Sequence, residues 1–253
     1  MEIEFLGTGT STGIPQIGCN CEVCRSTDSH DKRLRTSAIL HADDGKDILI
    51  DCGPDFRTQI LQARHNNPCA LLVTHSHYDH VGGIDDLRPF CINGKFPIYA
   101  REDVLHDIRT RLPYCFKPHP YPGVPSFDMI PIDDTPFLIG QTLVEPIPIW
   151  HYRLLISGFI FDNTVAYITD AKHIDDNVVN RLRGIDTLII NALRIREHIS
   201  HMSLSETLEV VRRTAPRRTY LIHMSHDMGK EREATKLLPP TVHFAHDHQL
   251  LTL

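Results

Sequence analysis

The chain of 253 residues carries a formal net charge of −6 and has a pI of about 6.3. A chain of this length can bury a substantial core, and we expect a single domain over residues 1–253. The acidic balance argues against a protein that binds nucleic acid mainly through a basic surface, whereas small anionic substrates are compatible with it. The N-terminus lacks a basic segment followed by an apolar one, and no run of about 18 apolar residues occurs, so we expect a cytoplasmic protein without a membrane partner.

The N-terminal residues alternate as a strand over Glu2–Leu6 and enter a glycine- and hydroxyl-rich turn over 7–13. This turn lacks the lysine of a phosphate loop and the spacing of a dinucleotide fingerprint. Two interpretations stay open, a tight turn at the end of a strand and a backbone lining for a bound anion.

A CxCxxC cluster follows at Cys19, Cys21 and Cys24. In a reducing compartment this close spacing suits a tetrahedral zinc better than disulfides, and His226 is the candidate fourth ligand. A redox pair or plain core cysteines are the alternatives. The total of seven cysteines is odd, which excludes a complete set of internal disulfides, and the remaining four are predicted to be small core residues: Cys52, Cys69, Cys91 and Cys115.

Two strands are predicted over 35–41 and 46–50, joined by a turn, and the second ends at Asp51. The Asp51 carboxylate could orient a metal-bound histidine, or it could cap the helix predicted over 54–63. The two roles are compatible.

The apolar run Leu71–Val73 ends in a turn that carries His75, His77, Asp79 and His80. Alternate residues of an extended backbone point the same way, so His75 and His77 are predicted to bind one ion while Asp79 and His80 face a second. The alternative is a histidine-rich surface loop, which the buried character of the strand and the glycines that follow the turn disfavour.

The next segment is predicted to begin a helix over 84–90, followed by a short strand over 97–100. Arg88 in that helix is a candidate contact for an anionic substrate. Residues 111–136 are rich in proline and aromatic residues, which predicts a lid or edge loop, and such a loop could border a substrate cleft or a dimer contact.

Strands predicted over 143–149 and 165–169 end at His151 and Asp170. An isolated polar residue at such a position is usually a cap or a surface group, but the metal site upstream is incomplete. We therefore expect His151 to complete the first ion's ligands and Asp170 to bridge two cations, whose repulsion a carboxylate screens.

A capping box at Ser203 and Glu206 predicts the start of a helix, which leaves His201 just outside its N-terminus. From there His201 could donate a proton to a departing oxygen, the alternative being a solvent-exposed histidine. His198 is given no role. The strand predicted over 219–222 delivers His223 to the second ion, and three late histidines are predicted on the surface or on an edge strand: His243, His246 and His248.

The order HxHxDH, histidine, aspartate, histidine, each at a strand end, resembles the metallo-β-lactamase superfamily over nearly the whole chain. The resemblance implies an α/β fold, the αββα sandwich, with a dimetal site at the edge of its sheets. It implies the following ligands: His75, His77 and His151 on one ion, Asp79, His80 and His223 on the other, and Asp170 between them.

The cysteine cluster makes the chain similar to the phosphoribosyl cyclic phosphate phosphodiesterases of the carbon-phosphorus lyase pathway. That resemblance implies a structural zinc on Cys19, Cys21, Cys24 and His226, two active-site ions that are manganese or zinc, and a homodimer. It also implies that His201 protonates the leaving group, and Asp79 is the second candidate catalytic residue. The implied reaction is hydrolysis of a small cyclic sugar phosphate by a hydroxide that bridges the two ions.

Three other functions are the alternatives to this one. A tRNA 3′-processing nuclease shares the HxHxDH core, but the chain has no long glycine- and proline-rich arm and its net charge is acidic. A thioester or lactam hydrolase would not normally carry the cysteine cluster. A non-hydrolytic or oxidative metal protein related to pyrroloquinoline quinone biosynthesis would carry it.

Overall fold

The computed structural model describes residues 1–119 and 121–253, which form two seven-stranded sheets. Strands are numbered β1 to β14 and α-helices α1 to α6 in chain order. The first sheet has the order β14-β1-β2-β3-β4-β5-β6, and the second has the order β13-β12-β11-β10-β9-β8-β7. The strands of the first sheet are β1 Glu2–Gly7, β2 Ser37–His41, β3 Asp47–Ile50, β4 Ala70–Leu72, β5 Phe96–Ala100, β6 Phe127–Pro131 and β14 Leu250–Thr252. Those of the second are β7 Phe137–Ile139, β8 Thr142–His151, β9 Leu154–Phe161, β10 Val165–Ile168, β11 Thr187–Asn191, β12 Arg218–Ile222 and β13 Val242–Phe244.

Each sheet is half antiparallel and half parallel. In the first, β3 to β6 run parallel, and in the second, β10 to β13 do. Parallel neighbours need long connections, and helices or extended loops supply them. The α-helices are α1 Phe56–Gln62, α2 Tyr78–Val81, α3 Glu102–Arg111, α4 Asp176–Arg181, α5 Leu204–Thr214 and α6 Glu231–Ala234. Short 3-10 helices occur at Ser29–Asp31, Ile84–Cys91, Pro113–Phe116, His226–Met228 and Thr235–Leu237.

Three large apolar clusters, one between the two sheets and one on the outer face of each, follow from the period-two alternation of the strands. In β3, Ile48 and Ile50 point into the space between the sheets, where they meet Phe159 and Tyr167 of the second sheet. Leu49 points the other way, into a cluster with residues of α1 and α3. The outer face of the second sheet packs on α4 and α5 in the same manner. The layers are therefore helix, sheet, sheet, helix, and the predicted αββα sandwich is confirmed.

The predicted loop over 111–136 is wrong in part. Residues Phe127–Pro131 form β6, the edge strand of the first sheet, which pairs in parallel with β5. An edge position accommodates Pro131 because one side of such a strand needs no ladder hydrogen bond. The helix predicted over 84–90 is a 3-10 helix, with Pro89 inside it. Among the described residues, no helix is both long enough and apolar enough to cross a membrane.

Candidate metal centre

The predicted ligands meet at one end of the sandwich because their strands end there. His75 follows β4, His151 ends β8, Asp170 lies two residues after the end of β10, and His223 directly follows β12. The strands β10 and β12 each run parallel to β11, and β8 runs antiparallel to β9, which is itself antiparallel to β10. The carboxyl ends of β8, β10 and β12 therefore reach the same edge of the second sheet.

Three residues at this edge adopt a left-handed backbone conformation. Asp51 has φ 58°, Asp170 has φ 58° and His223 has φ 57°. Non-glycine residues rarely take positive φ, and such strain collects at functional sites. All three come directly or almost directly after a strand, so the chain bends sharply at each point where a polar side chain enters the site.

One compact group of donors comprises Asp79, His80, Asp170 and His223. Each offers one ligand atom, all four atoms lie within 4.8 Å of one another, and all four residues are buried. Nε2 of His80 lies 3.2 Å from Asp79 Oδ2 and 3.2 Å from Asp170 Oδ2, and Nε2 of His223 lies 3.2 Å from Asp170 Oδ1. This is the set expected on the second ion, together with the expected bridging carboxylate.

The buried nitrogens of this group fit a metal. Nε2 of His80 and Nε2 of His223 have no hydrogen-bond partner among the described residues, although both are enclosed by protein. The opposite ring nitrogens have partners, since Nδ1 of His80 lies 2.7 Å from Asp51 Oδ2 and Nδ1 of His223 lies 3.1 Å from Thr36 Oγ1. An imidazole held at one nitrogen with the other facing carboxylates is the arrangement of a metal ligand.

The charges of the site favour a bound cation. Burial works to raise the pKa of Asp170, but the His223 and His80 imidazoles hold it well below its usual range. Burial works to lower the pKa of His80, yet the Asp170, Asp79 and Asp51 carboxylates raise it well above its usual value. Buried carboxylates in this number need positive charge beside them. A divalent cation that displaces the His80 proton would supply that charge.

The imidazoles expected on the first ion lie beside this group. The ring of His77 has its centroid 4.6 Å from that of His75 and 5.2 Å from that of His151. Nδ1 of His151 lies 2.9 Å from the backbone oxygen of Asp170, which leaves the other ring nitrogen of His151 available. Burial lowers the pKa of His75 well below its usual value, so that its imidazole is neutral, the form in which histidine binds metals. The group of ligand atoms around His151 that lie within 4.8 Å of one another, however, contains Asp170 and His201 in place of His75 and His77.

His201 is largely enclosed by protein rather than solvent-exposed. Its side chain is 12% exposed, Nδ1 lies 3.6 Å from Asp170 Oδ1, and this nitrogen has no hydrogen-bond partner among the residues the structure describes. Its ring centroid lies 4.6 Å from that of His151 and 5.1 Å from that of His223. Burial lowers the pKa of His201 to about 3, despite the opposing effect of Asp170.

The cysteine cluster forms a second compact donor set. Cys19, Cys21, Cys24 and His226 have their ligand atoms within 4.8 Å of one another. Nδ1 of His226 lies 3.4 Å from the sulfur of Cys21 and 3.8 Å from that of Cys19. All seven cysteines are free thiols. A hydrogen bond from the Cys24 backbone N–H contributes most to lowering the pKa of Cys21 to about 6, whereas burial raises that of Cys24 to about 11. A donor set of three sulfurs and one imidazole fits tetrahedral zinc.

Asp51 has the orienting role rather than the capping role. The residue at the N-cap of α1 is Asp55, whereas the carboxylate of Asp51 contacts His80 and accepts hydrogen bonds from the Thr74 backbone N–H and hydroxyl. Thr74 was missed from the sequence, and so was Thr169, whose hydroxyl lies 2.6 Å from Asp170 Oδ2. The available signal is a hydroxyl residue directly before a predicted ligand at a strand end.

The glycine-rich turn packs against its neighbours. The backbone N–H of Gly9 donates to Leu34, that of Thr10 donates to Met224, and that of Thr8 donates to Asp247. A Cβ atom at Gly7 would lie 2.1 Å from the Arg35 carbonyl oxygen. Because these N–H groups already have acceptors, residues 8–10 form a tight strand-end connection and do not offer their N–H groups to an anion.

The remaining candidates lie outside the metal centre. Arg88 pairs with Asp85 at 3.0 Å, and His198 contacts Ser200. His243 is exposed on the edge strand β13 as predicted, but His246 and His248 are half-buried and contact glutamates, so that prediction was wrong for them. Of the cysteines predicted in the core, Cys52 and Cys115 are buried whereas Cys69 and Cys91 are partly exposed.

Comparison with known proteins supports the same fold. Residues 46–224 match the family model described as β-lactamase superfamily domain. A solved structure described as a new diphosphatase from the PhnP family superimposes with a TM-score of 0.92 at 34% identity, covering 100% of this chain and 97% of the other.

Two curated relatives are also similar to this chain. An octanoyltransferase of Porphyromonas gingivalis is 43% identical over 249 residues, which is 98% of this chain and 50% of that protein, so the chain spans about half of its length. The coenzyme PQQ synthesis protein B of Methylobacterium radiotolerans is 26% identical over 222 residues, covering 76% of this chain and 72% of that protein. The family model spans most of the chain, and the αββα sandwich and its candidate metal ligands agree with that match. This chain therefore belongs to the β-lactamase superfamily.

Proposed function

We propose that this chain is a metal-dependent phosphodiesterase that hydrolyses a small cyclic sugar phosphate such as a phosphoribosyl 1,2-cyclic phosphate. The family and the buried donor set make it a metal-binding hydrolase of the metallo-β-lactamase fold. The observation that supports phosphodiester hydrolysis is the position of His201. Its side chain lies beside the proposed metal ligands, and its Nδ1 has no hydrogen-bond partner among the described residues, so it could serve as a proton donor.

The ligand sets proposed for two divalent ions, manganese or zinc, follow the sequence expectation. His75, His77 and His151 would hold one ion, Asp79, His80 and His223 the other, and Asp170 would lie between them. When bound, such ions act as Lewis acids toward phosphoryl oxygens and bring the pKa of bound water to about 7. The role of Asp79 is accordingly that of a ligand and of a candidate catalytic group.

The chain's own residues orient this centre and move the proton. Asp51 fixes the His80 ring through Nδ1, and the Asp170 carbonyl does the same for His151. His201 would transfer a proton at its ring nitrogen to the departing oxygen. The buried imidazole is neutral before substrate binds, and the negative charge of a phosphodiester beside it would raise its pKa and favour the proton-bearing form.

A structural zinc on Cys19, Cys21, Cys24 and His226 is the third part of the proposal. His226 lies on a short helix three residues after His223, so a zinc ion here would tie the N-terminal loop to the segment that carries an active-site ligand. Such a cross-link between distant parts of the chain stabilises the fold. We also propose that the protein is a homodimer. Its proposed substrate is a small molecule rather than a nucleic acid.

The test combines metal analysis with activity. Purified protein is analysed by mass spectrometry for bound metals and assayed on bis-nitrophenyl phosphate and ribose 1,2-cyclic phosphate, with and without manganese. We expect tightly bound zinc and manganese-dependent cleavage that is strongest on the cyclic sugar phosphate. Absence of cleavage of either diester in protein that carries its metals would contradict the proposal.

The role of His201 is tested by His201→Ala. We expect turnover to fall about a hundredfold or more, the typical contribution of proton transfer, with metal content intact. His106→Ala is the matched control, since His106 is exposed on α3. Loss of bound metal in His201→Ala would instead make His201 a ligand, as its grouping with His151 and Asp170 allows.

The similarity to coenzyme PQQ synthesis protein B favours a second candidate, a non-hydrolytic or oxidative metal protein. Iron in the freshly purified protein, together with no diester cleavage, would support it. An octanoyl-transfer activity is not assigned to this chain, because the match covers only half of the relative that bears that name.

A further inference from the structure

A third cluster of metal-binding side chains lies at the opposite end of the first sheet. His41 ends β2, Asp47 begins β3, and His65 lies in the loop between α1 and β4. The ligand atoms of these three residues lie within 4.8 Å of one another. Asp47 and Asp51 flank the two ends of β3, so the length of that strand separates the cluster from the metal centre.

We propose that His41, Asp47 and His65 bind a zinc ion that is distinct from the ions of the metal centre and of the cysteine cluster. Two imidazoles and one carboxylate are a common zinc donor set, with a fourth position left for water. The ion would tie the loop between α1 and β4 to the ends of β2 and β3.

The His41 ring lies between two carboxylates, which favours positive charge at this position. Nδ1 of His41 lies 2.7 Å from Asp47 Oδ1, and Nε2 of the same ring lies 3.5 Å from Glu4 Oε2. A neutral imidazole carries one N–H, so it can satisfy one of these carboxylates and must turn a lone pair toward the other. Either a second proton on the ring or a metal ion bound at Nδ1 would therefore satisfy both carboxylates.

His65 favours the metal over the proton. Its Nδ1 lies 3.6 Å from Asp47 Oδ1, and its ring stands edge-on to that of His41 with centroids 4.6 Å apart. A hydrogen bond involves only two groups. A metal ion binds three or more ligand atoms, and His65 is a third possible ligand beside the same carboxylate oxygen.

Glu4 supplies the outer partner of such a site. Its carboxylate is 3% exposed, accepts a hydrogen bond from the Arg64 backbone N–H and faces His248 as well as His41. Burial works to raise its pKa, but contacts with His248 and His41 lower it to about 2, which keeps it ionised. A metal-binding histidine usually directs its other N–H to a carboxylate or a carbonyl. One divalent ion would also balance the charges of Glu4 and Asp47.

A similar cluster elsewhere does not support the same inference. His30, Glu231 and His246 also lie close together, but the Arg33 guanidinium is 2.7 Å from Glu231 Oε2. Arginine therefore already supplies the positive charge there. In the described part of the chain, Asp47 forms ion pairs only with histidines.

The test is a count of bound zinc. Wild-type protein, His65→Gln and His30→Gln are dialysed against zinc sulfate at neutral pH, and bound zinc is measured by mass spectrometry. Both replaced histidines are exposed, with 51% of the His65 side chain and 57% of the His30 side chain accessible, so both variants should fold. We expect His65→Gln to bind one zinc equivalent fewer than wild type and His30→Gln to match wild type. Equal zinc binding by wild type and His65→Gln would overturn the proposal.

A second variant tests the outer partner. Glu4→Gln keeps the size of the side chain and removes its charge, and we expect the affinity of the third zinc site to fall about tenfold or more. Zinc titration calorimetry on protein whose other sites are already filled measures this affinity. An unchanged affinity would show that the site does not use His41 as proposed.

Discussion

Oδ2 of Asp51 lies 2.7 Å from Nδ1 of His80, and both side chains are completely buried. The contact joins the end of β3 to α2, which carries Asp79 and His80. A backbone hydrogen bond joins the same two segments, since the Cys52 N–H donates to the His80 carbonyl at 2.8 Å. Asp51 therefore fixes both the orientation of the His80 ring and the tautomer in which Nε2 faces Asp79 and Asp170.

Asp51→Asn should weaken metal binding without unfolding the protein. Asparagine tolerates the left-handed backbone of this position, φ 58°, but it lacks the charge that holds the His80 N–H. Loss of such an outer partner typically costs about 10- to 100-fold in metal affinity. Competition with a chelator measures that affinity. Asp128→Asn, an exposed change on β6, is the control, and equal affinities for the two variants would contradict the orienting role.

The convergence of the candidate ligands was predictable from the sequence because their residue types are costly to bury elsewhere. Asp170 and His223 each follow an apolar run that could only be a strand, and polar groups at that point either face solvent or bind something. Their left-handed backbone was not predictable, since nothing in the local sequence demands positive φ at an aspartate or a histidine.

The largely enclosed position of His201 could not be predicted from the sequence either. The capping box placed it correctly before α5, but its environment depends on how the loop is held. The Met202 N–H donates to Ala171, and the Leu193 N–H donates to Met202, at 2.8 and 3.0 Å. These contacts join segments far apart in the chain, which no local pattern encodes.

The edge strand β6 and the helix α3 were missed for a related reason. Phe127–Pro131 is short and lies among prolines, so its propensity is weak, and it becomes a strand through pairing with β5. In α3, only Val104, Leu105 and Ile108 are buried, and this short apolar stripe is easily overlooked in a charged segment.

Gly83→Ala should disturb the HxHxDH segment through the backbone. A Cβ atom at Gly83 would lie 2.1 Å from the Gly53 carbonyl oxygen, and φ of −99° is one that alanine readily adopts, so the effect is steric. Overpacking of this kind costs about 1–3 kcal/mol. Because the strain bears on the turn after α2, we also expect a smaller rise in melting temperature on adding manganese than in wild type. A variant with wild-type stability and the same metal-dependent rise in melting temperature would show that the backbone shifts to accommodate the added Cβ atom.

Cys24→Ser should remove the zinc of the cysteine cluster and leave the metal centre loaded. Serine is a poor zinc ligand, and the remaining three donors would bind more weakly. Since zinc joins this loop to His226, we expect a lower melting temperature and faster proteolysis within residues 14–33. Cys91→Ser is the matched control, because the Cys91 thiol only donates to the Leu87 carbonyl. Equal zinc content in the two variants would contradict the assignment of Cys24 as a ligand.

The capping box of α5 should make stability depend on pH in the acid range. Burial works to raise the pKa of Glu206, but hydrogen bonds from Lys172 and from Ser203 lower it below its ordinary value of 4.5. The charged form is therefore favoured by folding, so this contribution is present above about pH 4.5 and is lost as the pH falls through the lowered folded-state value.

Replacing Ser203 and Glu206 separates the two halves of that contribution. Ser203→Ala should cost about 1 kcal/mol in the acid range, where the hydroxyl still caps the helix, and more at neutral pH, where it also donates to the charged Glu206 carboxylate. At neutral pH, Glu206→Gln should be less stable than wild type because it lacks the charged carboxylate. The difference in stability should shrink as the pH drops below 4, because the wild-type carboxylate is then becoming protonated. Urea unfolding at a series of pH values between 3 and 7 measures both. A constant difference between Glu206→Gln and wild type across that series would mean that Glu206 acts by packing rather than by its charge.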